Sequence, residues 1–466
     1  MEYVSTRGIA PKVQFDAALL AGLAPDGGLY LPVSWPTISA DFADMPFAEA
    51  AAVILEPFVT PWLDRKALLG MTTKAFSSFS HKDVAPLRQI DDEDWLLELF
   101  HGPTLAFKDV AMQLLGVFFD HALSQTGKRA TVIGATSGDT GGAAIEAFKG
   151  RDQADVFILH PKGRVSDVQR LMMTTVEDRN VHNIAIEGTF DDCQRIVKTL
   201  FADRAFADRV GLTGVNSINW ARLAIQTVYY FTSLAALKKQ TGASAASFSV
   251  PTGNFGDIFA GYAAKRMGAG VAKLCVAVNR NDILHRTLTT GRYEPQGVSP
   301  TTSPSMDIQV ASNFERLLFE ASGRDAGAVR ALMESFDKKG AYEMPAGWLA
   351  KIHEDFISER VSEEEDAATI AEVDKRLGML IDPHTAVGYA AAKKARSSGA
   401  LSGPIITLAT AHPAKFPDAV IAAAGKKPEL PARFATLFDL PERYETAPAT
   451  IDAVREIILR DARAGK

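Results

Sequence analysis

An α/β architecture built on mostly parallel sheets is the expectation, and three observations carry it. Short runs of mostly apolar residues alternate with helical patterns through most of the chain, at 95–100, 131–136, 156–160, 181–187, 247–250, 274–278 and 405–409. Each run is about five residues long, the length and composition of strands buried on both faces. Several pass directly through a glycine-rich junction into a helix, the form taken by the carboxyl ends of parallel strands.

Composition bounds the function. The 466 residues are 47% hydrophobic, with a net charge of −6 from 50 basic and 56 acidic residues. Such a chain buries a large core and divides into two or three domains. Its charges are dispersed, so neither a nucleic-acid face nor a polybasic membrane segment is expected. No apolar run approaches the roughly 18 to 20 residues that span a bilayer, and the N-terminus lacks an apolar signal core. We expect a cytoplasmic protein with a small-molecule partner, monomeric or weakly dimeric. Cys193 and Cys275 lie far apart and the nine histidines show no paired spacing, so buried free thiols are expected and no metal site.

In chain order, residues 1–90 mix short helical patterns with a turn-rich stretch at 24–32, where Pro32 ends an extended run; we read an N-terminal domain or lid. Residues 91–430 hold the strand–helix alternation. Within them, 291–380 breaks the rhythm with a Ser/Thr/Pro stretch and helical segments, and reads as a mostly helical insertion. Glu363, Glu364, Glu365 and Asp366 form a helix start, since acidic residues favour the first turn. The tail, 431–466, ends in an amphipathic helix from residue 451.

Four places carry candidate chemistry. Lys108 opens a helix among Leu105, Ala106, Phe107 and Val110. An ammonium there loses hydration, which lowers its pKa and frees an amine able to attack a carbonyl; taken alone, the residue also fits a lysine lying along apolar surface with its charge in water. After the run at 131–136, Ser137-Gly-Asp-Thr-Gly-Gly142 places backbone amides at a helix start, where a carboxylate or phosphate binds. A plain turn capped by Ser137 or Asp139 has the same sequence. After 247–250, Pro251-Thr-Gly-Asn-Phe-Gly-Asp257 repeats the arrangement. After 405–409, Thr410 sets a hydroxyl at a strand end, suited to face an unprotonated pyridine nitrogen, or serves as a cap.

Together these features resemble the fold-type II pyridoxal-phosphate enzymes, the tryptophan synthase β-subunit family. Phe100-His-Gly-Pro-Thr-Leu-Ala-Phe-Lys-Asp109, Ala135-Thr-Ser-Gly-Asp-Thr-Gly141, Val215-Asn-Ser-Ile-Asn219, Gly253-Asn-Phe-Gly-Asp257 and Thr410-Ala-His-Pro-Ala-Lys415 are similar to the threonine synthase family of the longer, bacterial and fungal type. So are Tyr3-Val-Ser-Thr-Arg-Gly and Asp26-Gly-Gly-Leu-Tyr-Leu-Pro32, which extends the resemblance over almost the whole chain.

The resemblance implies a cofactor, pyridoxal 5'-phosphate, held between two α/β domains. It implies conversion of O-phospho-L-homoserine and water to L-threonine and phosphate. Lys108 would carry the cofactor as a Schiff base and then move protons; Gly253, Asn254, Phe255, Gly256 and Asp257 would hold the cofactor phosphate, and Thr410 would face its pyridine nitrogen. Ser137, Gly138, Asp139 and Thr140 would receive the substrate carboxylate. Lys162, Arg164, Asn216, Ser217, Asn219 and Arg222 are candidates for the substrate phosphate by their position near strand ends. An aspartate at 139, beside anionic ligand atoms, is expected to be protonated or turned away. The motifs are shared by phospho-lyases that release 2-oxobutyrate, and a catalytically silent binding protein on the same fold would also retain most of them.

Overall fold

The structure is a computed structural model and describes residues 1–465. Each of the seven expected strands is present, as Asp94–Glu98, Ala130–Ala135, Ala154–Pro161, Val181–Glu187, Ala246–Pro251, Val271–Val278 and Ile405–Ala409. They divide between two sheets. The larger has six strands in the order Phe356–Arg360, Val271–Val278, Ala246–Pro251, Ile405–Ala409, Asp94–Glu98 and Leu87–Gln89, parallel except for the last pair. The smaller has five, Glu445–Pro448, Val181–Glu187, Ala154–Pro161, Ala130–Ala135 and Leu212–Thr213, all parallel. Every residue of Ala154–Pro161 is buried, which is why the middle of this central strand, residues 156–159, reads as a continuous apolar run.

The strands absent from the sequence reading lie mostly at sheet edges. Phe356–Arg360 belongs to the stretch expected to be a helical insertion, yet Leu274 to Val278 pair with it in parallel register. Only Phe356 of this strand is buried, so its sequence keeps the polar character of the charged stretch around it. Glu445–Pro448, in the tail, is exposed except at Ala447 and adds an edge to the smaller sheet. Edge strands are held by backbone pairing along one side and need little apolar sequence. The helical expectations in this half hold: Phe314–Ala321, Glu363–Leu377 and Ile451–Asp461 all form. The acidic start at Glu363 is closed by a capping box between Ser362 and Glu365.

Two helices lie in the interior. Lys108–Thr126 is buried continuously from Lys108 to Phe119, and Trp220–Thr241 from Trp220 to Phe231; both are largely apolar, with Lys108, Arg222 and Gln226 lining the main cavity. Trp220–Thr241 packs on Lys108–Thr126 and on the N-terminal helices Phe15–Ala21 and Phe47–Val59. Hydrogen bonds fasten this N-terminal region: Tyr3 Oη donates to Phe58 O (2.8 Å), Asn219 Nδ2 to Leu19 O (2.8 Å) and Arg316 Nε to Tyr30 O (3.1 Å). The turn at 24–32 is fixed as well, with Asp26 accepting from Ser5 Oγ and from the amides of Ile9, Ala10 and Gly28 at 2.7–3.0 Å. None of residues 1–90 lines the main cavity. Cys193 and Cys275 are free and buried, and burial pushes both thiols up to about 12. Among the described residues no helix is long and apolar enough to cross a membrane.

Candidate active site

The main cavity opens where strands of the two sheets end. Ala135 to Ser137 enter it from Ala130–Ala135 of the smaller sheet; Pro251 to Asp257 and Thr410 enter from Ala246–Pro251 and Ile405–Ala409 of the larger one. Lys108 reaches the same space from the first residue of its helix. The turn that delivers it is folded by Asp109, whose carboxylate accepts from Thr104 N (2.7 Å) and Thr104 Oγ1 (2.6 Å). Phe107 N donates to Thr410 O at 2.8 Å, locking this turn to the end of Ile405–Ala409. Burial pushes Asp109 up to about 6, with the Thr104 donors opposing.

Lys108 is 9% exposed, and its ammonium sits 3.4 Å from Asp139 Oδ2 and 3.5 Å from Ser305 Oγ. Burial lowers its pKa; Asp139 works the other way, and the nearby Lys415 and Arg222 add to the lowering. Asp139 has three further partners. Lys415 Nζ lies 2.6 Å from Oδ1, Gln169 Nε2 donates to the same oxygen at 2.8 Å, and Ser305 Oγ donates to Oδ2 at 3.2 Å. Burial opposes the charge of Asp139, but Lys415 and Lys108 outweigh it and hold the carboxyl well below its ordinary range. The sequence led us to expect an aspartate that is protonated or turned away; in the structure it faces both lysines, which favour its charged form. It is ionised between two lysines.

On the opposite wall the loop before Gly256–Arg266 approaches Ser305 closely. A Cβ on Gly253 would stand 2.7 Å from Ser305 O, so only glycine fits. Phe255 is held at φ +64, a left-handed conformation unusual for an aromatic residue, with its ring against Phe314 and Phe356. The helix start at Gly256 and Asp257, where backbone amides have no partner within the helix, lines the cavity. Asn313 fixes the loop, its backbone N and its Nδ2 both donating to Asn254 O at 3.1 Å. Beneath it Asp257 accepts from the hydroxyls of Tyr229 and Tyr230, and burial pushes its carboxyl up to about 6.

Three family models match the chain: "Threonine synthase N terminus" over residues 2–76, "Pyridoxal-phosphate dependent enzyme" over 86–336 and "Threonine synthase, C-terminal" over 385–458. A threonine synthase from Pseudomonas aeruginosa is 49% identical, with 100% of both chains covered. One from Saccharomyces cerevisiae is 42% identical over 90% of this chain and 88% of its own. The crystal structure of a pyridoxal-phosphate-bound threonine synthase from Brucella melitensis superposes with a TM-score of 0.95 at 52% identity, covering 100% of both chains. The chain belongs to the threonine synthase family. Membership makes it a pyridoxal-phosphate-dependent lyase of the fold-type II group, as the motifs implied.

The site suits the cofactor of the threonine synthase family. Arg222 Nε, both polar side-chain atoms of Gln226 and Asp257 Oδ2 are buried without a partner among the described residues, and all three side chains line the cavity beside the Gly253–Asp257 loop. Buried polar atoms left in that condition fit a polar ligand. Burial brings the Arg222 guanidinium down to about 10, and an anion beside it would offset that cost. Gly253→Ala is expected to weaken pyridoxal-phosphate binding at least about tenfold, since the loop or Ser305 has to shift; spectrophotometric titration of the stripped protein measures this.

The structure brings together Lys108, Gly253, Asn254, Phe255, Gly256, Asp257, Thr410, Ser137, Asp139, Thr140, Asn216, Ser217 and Arg222 around one cavity. Four expected ligands stand outside its lining. Lys162 is exposed and pairs with Glu187 at 3.4 Å, and Arg164 is exposed one turn further on. Both follow the strand Ala154–Pro161, whose end lies beside the cavity, but the chain carries them to the surface. Asn219 caps Trp220–Thr241, accepting from Ala221 N at 3.1 Å. Gly138, at φ +142, is a packing residue: a Cβ there would meet the Gln169 amide at 2.4 Å and block its reach to Asp139.

The capping alternatives are settled too. Thr136 Oγ1 accepts from the amides of Gly138 and Gly141 at 2.9 Å, so neither Ser137 nor Asp139 caps Asp139–Phe148. His412 caps the short helix Pro413–Lys415 and leaves Thr410 free of that task.

Several cavity residues escaped the sequence reading. Ser305 touches Lys108, Asp139 and the Gly253 loop at once, and its amide donates to His384 Nε2 at 3.1 Å. His384 Nδ1 lies 2.7 Å from Asp382 Oδ2, so hydrogen bonding assigns its proton to Nδ1. These residues come from distant segments without a local signature. Lys415 had one, an apolar setting of Ala414 and Phe416 like that of Lys108.

Proposed function

We propose that the chain converts O-phospho-L-homoserine and water into L-threonine and phosphate, with Lys108 as the amine that holds the cofactor and then transfers protons along the substrate carbons. Pyridoxal phosphate, when bound, supplies the electron sink for this chemistry. The observation that carries the reading is the place of Lys108: a buried amine of lowered pKa between two helix starts, Asp139–Phe148 from one sheet and Gly256–Arg266 from the other. A substrate with a carboxylate at one end and a phosphate at the other needs such a pair of anion-binding positions in addition to a proton carrier.

We assign the substrate carboxylate to Ser137 and Thr140, the cofactor phosphate to the Gly253–Asp257 loop, and the substrate phosphate to Asn216, Ser217 and Arg222. Arg222 supports the last assignment as the buried cation on that side of the cavity, with Nη1 anchored on Val215 O at 3.3 Å. Thr410 presents a neutral hydroxyl, which suits an unprotonated ring nitrogen. The two buried free thiols favour a reducing, cytoplasmic setting.

Incubation of the loaded protein with O-phospho-L-homoserine, followed by identification of the carbon product, tests the proposal. Threonine and phosphate in equal amounts are expected. Formation of 2-oxobutyrate without threonine would replace the reading with a phospho-lyase, and absence of any turnover would favour a silent binding protein.

A further inference from the structure

Asp139 is the point where two buried lysines meet, and the reaction as described uses only one of them. Lys108 Nζ stands 3.4 Å from Oδ2 and Lys415 Nζ 2.6 Å from Oδ1. Lys415 is 1% exposed, and its ammonium also donates to Thr104 O at 2.7 Å, in the turn that leads to Lys108. Its own backbone is held from two sides: Lys415 N donates to His412 O at 3.1 Å, and Lys415 O accepts from Ser166 Oγ at 3.0 Å. A lysine fixed this firmly on the same carboxylate as the reactive amine has an electrostatic consequence. An amine has to lose its proton before it attacks a carbonyl, and a lone buried carboxylate within 4 Å would keep that proton on.

We propose that Lys415 is a positioning residue for Lys108: by occupying Asp139 it prevents the carboxylate from holding Lys108 as an ammonium. This rests on Lys108 being the amine that takes up the cofactor. The geometry is graded in the required direction, because the closer contact to Asp139 belongs to Lys415 and the longer one to Lys108. The other groups facing this cluster are Arg222 on the Lys108 side, His384 with Asp382 near Asp139, and Asp109 and His412 near Lys415. Gln169 and Ser305 add neutral hydrogen bonds to Asp139. Burial and Lys415 both act to lower the Lys108 pKa, against Asp139.

The test follows the rate at which the cofactor-stripped full-length protein takes up pyridoxal phosphate, by absorbance, as a function of pH. The wild-type rate is expected to rise with a midpoint below the ordinary lysine value of about 10.4. Lys415→Met is expected to move the midpoint up by about one pH unit, slowing uptake about tenfold at pH values below both midpoints. Asp139→Asn is expected to move it down, the Asp139→Asn and Lys415→Met pair together to return it near wild type, and Lys415→Arg to preserve it. A purely structural salt bridge would alter stability and leave the midpoint in place. Equal midpoints in wild type and a folded Lys415→Met, judged by far-UV circular dichroism, would overturn the proposal. Should Lys415→Met fail to fold, an unchanged midpoint in Asp139→Asn overturns it and a lowered one supports it. A wild-type protein that takes up no cofactor would refute the underlying assignment of Lys108 instead.

Discussion

Lys108→Ala is expected to lower threonine formation by at least about 10³-fold while the chain remains folded, since it removes both the carbonyl-capturing amine and the proton carrier. The fold survives for a specific reason. Loss of the Lys108 ammonium leaves Asp139 with Lys415, Gln169 and Ser305, so no buried carboxylate is stranded. The remaining helix, Lys108–Thr126, keeps its interior contacts and its Asp109–Thr104 start. Steady-state assay beside thermal unfolding separates the two effects. Retained turnover would refute the assignment, and collapse of the fold would show that Lys108 serves packing more than chemistry.

The second large effect is expected at Arg316, which has no role in the reaction. Its guanidinium is fully buried and donates to Tyr30 O, Ile218 O (2.7 Å) and Asn313 Oδ1, thereby tying the N-terminal region, the segment before Trp220–Thr241 and the Asn313 clamp on Asn254 into one joint. Arg316→Ala leaves those acceptors without their donor and empties a large buried volume, so a loss of about 3–5 kcal/mol is expected in urea unfolding. Because Asn313 positions the loop that contains Gly253, cofactor binding should weaken in the same variant. A loss below about 1 kcal/mol would mean that water or rearranged side chains replace the guanidinium.

What the sequence disclosed was local. Lys108, the Ser137–Thr140 junction and the Gly253–Asp257 loop each place glycine or a buried charge between a strand and a helix, so a short window contains the whole signal. The seven interior strands were legible for a related reason: burial on both faces makes most positions apolar, as in residues 156–159. Phe356–Arg360 and Glu445–Pro448 were hidden because an edge strand is defined by its neighbour's backbone. Ser305 was hidden because its importance is wholly tertiary. It lies in the Ser/Thr/Pro stretch of the expected helical insertion, yet the fold sets it against Lys108, Asp139 and Gly253.

Lys162 and Arg164 lie near the end of the strand Ala154–Pro161, but proximity of the backbone to a strand end does not fix where a long side chain goes, and Lys162 ends on Glu187 at the surface. Ala414 and Phe416 flank Lys415 much as Phe107 and Val110 lie about Lys108, a setting the two lysines share in the sequence. The aspartate that seemed out of place at 139 makes sense once that second lysine is found 2.6 Å away.

Both lysines are buried at one carboxylate, and the account gives them different tasks. Borohydride reduction of the pyridoxal-phosphate-loaded protein, followed by proteolysis and mass spectrometry, fixes the cofactor to the lysine that holds it. The account predicts one pyridoxyl-phosphate adduct, on the peptide containing Lys108. An adduct on Lys415, or a loaded protein that yields none, would contradict it.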